Sequence, residues 1–193
     1  MINAFKRAIW IYLLSICMVS YSHGSELYEY RGNNYTYFYP LAGNIYNNSM
    51  SISFNFMVRR PLINASVDLN DIAINYSFMD GIHTITEKTG KIGGYLSTDA
   101  SGNPVLWDVD ISNRDTLDPT LKTGDQIVTP RSRQGLNSFE DTVQIYQCVV
   151  IVAGSCYFDL AYEASSLSVG NWTITHIPDL PDITPVYDLL LDE

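Results

Sequence analysis

The sequence predicts an all-β protein: an antiparallel β-sandwich, jelly-roll-like or similar, with an extended acidic C-terminal tail. Three observations carry that prediction. Apolar and polar residues alternate with period two in several short runs. Turn residues separate those runs at hairpin spacing, and helical periodicity is weak throughout. The chain is also rich in tyrosine, 14 in 193 residues. A tyrosine ring suits a strand face because it packs on one side and keeps a hydroxyl for water on the other.

The first 24 residues read differently from the rest. Lys6 and Arg7 precede an apolar run from Ala8 to Val19, and small residues follow at Ser20, Ser22 and Gly24. That order is expected of a secretory signal peptide, residues 1–24, cleaved after Gly24 or after Ser22. The run is about 12 residues, against the roughly 20 that span a bilayer. A lipoprotein reading rests on Cys17, but Ile16 before it is not the small residue such processing needs. No later apolar stretch is long enough to span a membrane, so no transmembrane segment is expected in the mature chain. The export reading implies a secreted, periplasmic or cell-surface protein.

The expected mature chain forms one domain, residues 25–176, with a tail at 177–193. Met50, Ile52, Phe54, Phe56 and Val58 alternate with Ser51, Ser53, Asn55 and Met57, which predicts a strand with one buried face. Ile72, Ile74, Tyr76 and Phe78 repeat the pattern. Asp80-Gly81 then supplies a turn before Ile82-His83-Thr84-Ile85-Thr86 resumes. A second hairpin joins Tyr95–Thr98 to Val105, Trp107, Val109 and Ile111 through the loop Asp99–Asn103. A third joins Val143–Val152 to Cys156–Tyr162 around Ala153-Gly154-Ser155. Asn171-Trp172-Thr173-Ile174-Thr175 is the last strand. The expected core is Ile52, Phe54, Phe56, Ile74, Tyr76, Phe78, Val105, Trp107 and Val109. Short helical turns fit residues 62–71 and 135–142, and the Gly-, Pro- and Asp-rich stretches 112–125 and 130–138 read as joints. Three prolines after Ile177 keep the end of the chain out of a sheet.

Charge and cysteines narrow the function classes. The full chain carries a formal net charge of −10, and the mature one about −12. Such a surface repels nucleic acid, and Arg59-Arg60 and Arg131-x-Arg133 are too small for a nucleic-acid patch. Cys148 and Cys156 remain after export and predict a disulfide. Tidy hairpin pairing would not set them directly opposite, so that disulfide calls for a bulge or a wider loop. The alternative is a pair of metal ligands, which needs more Cys or His close by.

Candidate site residues are few. There is no Gly-x-Ser-x-Gly nucleophile turn. His83, expected on a polar strand face, and His176, at the end of the last strand, have no partner in sequence for general-base work. Asp108 and Asp110 share one strand face. With Asp99 in the preceding loop they could form an oxygen-rich site, and calcium is the cation such a site would take. A solvated acidic face is the competing reading. Five Asn-x-Ser/Thr sequons occur, at Asn34, Asn47, Asn64, Asn75 and Asn171, and they matter only in a eukaryotic secretory route.

One stretch carries a resemblance. Phe78-Met79-Asp80-Gly81, then Ser97-Thr98-Asp99-Ala100-Ser101-Gly102 leading to Trp107, then Gly170-Asn171-Trp172-Thr173 resemble exported bacterial β-rich proteins of the PEP-CTERM-associated type. The resemblance implies Gram-negative origin, export, and association with a surface or extracellular polymer. It supplies no catalytic residues. The sorting segment typical of that group is missing, since the chain ends Asp188-Leu189-Leu190-Leu191-Asp192-Glu193. The sequence therefore predicts an exported, monomeric, non-catalytic binding or structural protein of the bacterial envelope or extracellular matrix, with polysaccharide as the partner class. The alternatives are a secreted polysaccharide hydrolase, a carbohydrate-binding module and an adhesin subunit. No cofactor other than calcium is expected.

Overall fold

The computed structural model describes residues 24–40, 44–114, 120–135, 139–153 and 155–178. The proposed signal peptide (apart from Gly24) and residues 179–193 of the expected tail lie outside them. Twelve strands follow one another: β1 (Ser25–Asn34), β2 (Tyr37–Tyr39), β3 (Ser51–Val58), β4 (Ser66–Asp68), β5 (Ile74–Met79), β6 (Thr84–Thr86), β7 (Lys91–Thr98), β8 (Pro104–Ser112), β9 (Gln126–Gln134), β10 (Phe139–Val152), β11 (Ser155–Ser166) and β12 (Asn171–Ile177). They form two antiparallel sheets. The five-stranded sheet has the order β12-β1-β3-β5-β6, and the seven-stranded sheet β2-β11-β10-β9-β8-β7-β4. Strands β7 to β11 run as a meander, in which each strand pairs with the next.

The two inner faces meet in one core. Tyr28, Tyr30, Ile52, Phe54, Phe56, Val58 and Phe78 come from the smaller sheet. Ile92, Leu96, Trp107, Val109, Ile111, Val143 and Ile145 come from the larger. Cross-strand pairs stack their rings: Tyr28 on Phe56 at 5.3 Å, Tyr30 on Phe54 at 4.8 Å, Phe54 on Phe78 at 4.9 Å. Trp172 from β12 meets Tyr28, Phe54, Phe56 and Trp107 edge-on. Alternation thus delivers one contiguous aromatic layer across four strands of the smaller sheet, where ring pairs add to area burial.

Six of the nine expected core residues are buried: Ile52, Phe54, Phe56, Phe78, Trp107 and Val109. Three depart. Val105 is 48% exposed. It is the extra residue of a bulge, because Leu106 pairs Ser97 while Pro104 pairs Thr98, and the bulge breaks period two. Ile74 and Tyr76 are half-buried beside a second bulge, where Asn75 adopts φ 50° and Phe56 faces two residues of β5. Ile72 is not in the strand. It ends the helical turn Leu69–Ile72, capped by Asp68, whose side chain accepts from the Asn70 N–H.

One joint and one helical turn of the sequence reading are strand in part. Residues 130–134 belong to β9, and β10 already begins at Phe139, where a helical turn was expected. Pro130 is tolerated inside β9 because pairing with β8 stops one residue later, at Arg131 opposite Asp110, so its missing N–H leaves no ladder bond unmade. The last strand reaches Ile177, one residue beyond the expected domain end. No helix among the described residues is long and apolar enough to cross a membrane.

The Cys148–Cys156 disulfide is present, with Cα atoms 5.7 Å apart. The expected bulge is Val149, since Cys148 pairs Phe158 and Val150 pairs Tyr157.

Candidate functional site

The two outer faces differ in how their polar groups are used. On the larger sheet two ion pairs cross neighbouring strands. Arg131 Nε donates to Asp108 Oδ1 at 2.7 Å and its Nη2 engages Asp108 Oδ2, while Arg133 pairs with Glu140 at 2.6 Å. Asp108 is therefore occupied by a cation of its own sheet. Asp99 is also committed: it accepts from the Ser101 and Asn103 N–H groups and from the Asn103 amide. Those bonds, the Asn103 amide foremost, hold its carboxyl below the usual range. The three aspartates of the calcium reading are not brought together, and among the described residues no three His, Cys, Asp or Glu side chains gather to hold a metal.

The smaller sheet presents the opposite situation. Its outer face carries two polar rows that cross all five strands. One is Thr173, Glu29, Asn55, Ser77 and Thr86 in direct register. The next is Asn171, Arg31, Ser53, Met79 and Thr84. Period two puts these side chains out while Tyr28, Tyr30, Phe54 and Phe78 go in. The members of these rows on β12, β1, β3 and β5 floor a groove of about 1200 Å3, which Asn33, Asn34, Ser49 and Gly81 also line. Among the described residues Glu29, Arg31, Ser53, Asn55 and Ser77 have no side-chain hydrogen bond or ion pair. Side-chain amides and hydroxyls both donate and accept, so this floor is open to a ligand rich in hydroxyls. The lining side chains come from β12, β1, β3 and β5, three strand spacings or roughly 14 Å across. A smaller cleft of about 620 Å3 lies between Lys88, Lys91, Asn113 and Arg114. Its Arg114 is already paired with Asp125 at 2.8 Å.

Beneath the groove lie two buried carboxylates that the sequence reading did not single out. Asp141 on β10 is fully buried and accepts from the Tyr30 hydroxyl at 2.8 and 3.0 Å. Ser132 and the Asn33 N–H also bond to it. Tyr30 in turn accepts from the Gly170 N–H at 2.6 Å, and Trp107 Nε1 donates to Ser132 at 3.0 Å. The network ties β1, β8, β9, β10 and the approach to β12 together. A Cβ at position 32 would collide with Asp141 Oδ2, so glycine is required there. Burial pushes Asp141 up to about 6, against the opposing pull of Ser132, Tyr30 and Asn33.

The second carboxylate, Asp80, opens the turn beside the groove. Its Oδ1 accepts from the Ile82 and His83 N–H groups at 2.8 and 2.7 Å. Its Oδ2 accepts from the Tyr46 hydroxyl at 2.7 Å and from His83 Nδ1 at 2.9 Å. Tyr35 donates to its carbonyl at 3.1 Å. His83 thus has the partner its sequence neighbourhood did not advertise. A carboxylate only accepts, so the contact with Asp80 calls for a proton on Nδ1. The turn itself was legible from Asp80-Gly81, and Gly81 takes φ 99°. His83 is not among the residues that line the groove, nor is His176.

A scan against protein-family models, a search of curated proteins and a search of solved structures each found no match. The class is therefore set by the architecture: a two-sheet antiparallel β-sandwich with one face crossed by ion pairs and one open polar groove.

Proposed function

We propose that this chain is an exported, non-catalytic bacterial binding protein that holds an extended hydroxyl-rich polymer, a polysaccharide, in the groove of the five-stranded sheet. The observation that supports it most is the pair of polar rows across β12, β1, β3, β5 and β6, whose central side chains have no partner among the described residues. Sugar hydroxyls match such a floor because each can donate and accept at once, and Met79 at its margin gives an apolar contact for ring C–H groups. Export is supported by the basic start and apolar run of the first 24 residues. It is also supported by a disulfide, which persists in oxidising compartments.

The hydrolase alternative needs two carboxyl groups facing one cleft. Among the described groove residues Glu29 is the one acid, which favours binding over cleavage. The test is an array of bacterial exopolysaccharides probed with the secreted chain, alongside Asn55→Ala/Ser77→Ala. Loss of two hydrogen bonds of about 1 kcal/mol each weakens binding roughly tenfold or more. Release of reducing ends from any bound glycan, or equal binding by the double variant, contradicts the reading.

A further inference from the structure

We propose that the protein forms a two-fold homodimer by antiparallel pairing of β11 with the β11 of a second copy. The β10–β11 hairpin runs past the rest of its sheet. β10 pairs β9 only from Phe139 to Gln147, and β11 pairs β2 only over Glu163–Ser165. The distal part of β11, from Ser155 to Tyr162, therefore has an edge with no neighbouring strand among the described residues. Exposed long edges are templates for strand addition, and proteins that stay alone blunt them with charge, proline or shortness. Of the other sheet edges β2, β4 and β6 are three residues each, while β12 is seven residues long. The open edge of β11 carries no proline and a single charge, Asp159. Residues 148–158 contain no charged side chain, in a chain of net charge −10. That gap in the acidic surface is what lets two like-charged copies approach.

The hairpin is also apolar on both faces. Val149, Val150, Ile151, Val152 and Tyr157 are each between 42% and 61% exposed. The Cys148–Cys156 disulfide locks its strands together, so little order has to be gained on docking. A lipid bilayer is the other environment for a two-sided apolar tip. The open backbone edge argues against it, because unpaired N–H and C=O groups are costly in hydrocarbon and are satisfied by a strand. Pairing with Phe158 on the two-fold axis sets Tyr157 opposite Asp159 and Cys156 opposite Leu160 of the other copy, so no acidic group lies directly opposite another. A two-fold between antiparallel strands is perpendicular to their sheet, so sheet faces are preserved. Both five-stranded grooves then face the same side. On the binding function proposed above, that arrangement adds avidity for a polymer, although the pairing itself does not depend on it.

The experiment is sedimentation analysis of the purified protein over a wide concentration range, with Tyr157→Asp, Tyr157→Lys and Leu167→Lys compared at matched melting temperature. Tyr157→Asp places like charges opposite Asp159 and should raise the dimer dissociation constant about tenfold or more. Tyr157→Lys places opposite charges there and should weaken the dimer far less. Leu167→Lys, on a residue 77% exposed outside the hairpin, should leave it unchanged. A wild-type chain that is monomeric at every concentration overturns the proposal. So does equal weakening by the Asp and Lys variants. Flotation of the monomer with phosphatidylcholine vesicles, lost in both Tyr157 variants, would assign the tip to lipid and overturn it as well.

Discussion

Asp141 shows what a single buried group does to this sandwich. Its carboxyl lies between the sheets with Tyr30, Ser132 and the Asn33 N–H around it, and burial still raises it to about 6. In the unfolded chain an aspartate titrates near 3.9. Between those values the folded state holds the proton that the unfolded state has lost. This group's contribution to stability therefore falls as pH rises from about 4 to about 6, and is flat above that. Two units correspond to about 3 kcal/mol. Urea unfolding at pH 5 and pH 7 should show wild type losing stability over that interval relative to Asp141→Asn. An identical pH dependence in both would mean that Asp141 titrates normally. Tyr30→Phe removes the hydroxyl that serves both Asp141 and the Gly170 N–H, and should cost about 1–3 kcal/mol. None of this was legible in the sequence. Glu140-Asp141 reads as an ordinary acidic pair, and Tyr28 and Tyr30 alternate with glutamates in a segment that looks half polar. The rings go inside because their hydroxyls find carboxylate partners there, with Glu26 for Tyr28 and Asp141 for Tyr30.

At the scale of strands, period two located most elements and failed where the backbone adds a residue. The alternating run of β8 placed Trp107 and Val109 inside and would have placed Val105 beside them, but the bulge at Val105 turns that residue out. A bulge leaves no mark on a hydrophobic pattern, so the failure was built into the signal. Trp107→Ala should cost about 3–5 kcal/mol, and Val105→Ala less than about 0.5 kcal/mol, by thermal or chemical unfolding. Comparable losses would put the bulge elsewhere. β9 escaped notice for a different reason: Pro130 and the glycine that follows at 135 announce a joint, and only the early end of the β8 ladder makes the proline harmless. The disulfide was legible from cysteine count and export alone. For so short a loop the chain-entropy gain is about 2.5 kcal/mol, and Cys148→Ala/Cys156→Ala should lower stability by about that amount without changing the strand signal in circular dichroism.

For the molecule as a whole, the difference between its two outer faces decides the functional reading. The larger sheet carries two cross-strand ion pairs, and among the described residues the smaller one leaves Glu29, Arg31, Ser53, Asn55 and Ser77 unpaired over a broad groove. The sequence showed Ser51, Ser53 and Asn55 as a polar strand face, but it could not show that β12, β1 and β5 align theirs with it, because that register joins residues more than a hundred positions apart. The aspartates that drew attention in the sequence instead serve a turn and an ion pair. The most direct measurement is amide chemical-shift mapping of the purified protein, titrated with an oligosaccharide selected on the exopolysaccharide array. The account predicts saturable shifts clustered on β1, β3, β5 and β12, with the larger sheet's outer face quiet and the glycan recovered intact. Shifts centred on the Arg131–Asp108 face, or cleavage of the oligosaccharide during the titration, would contradict it.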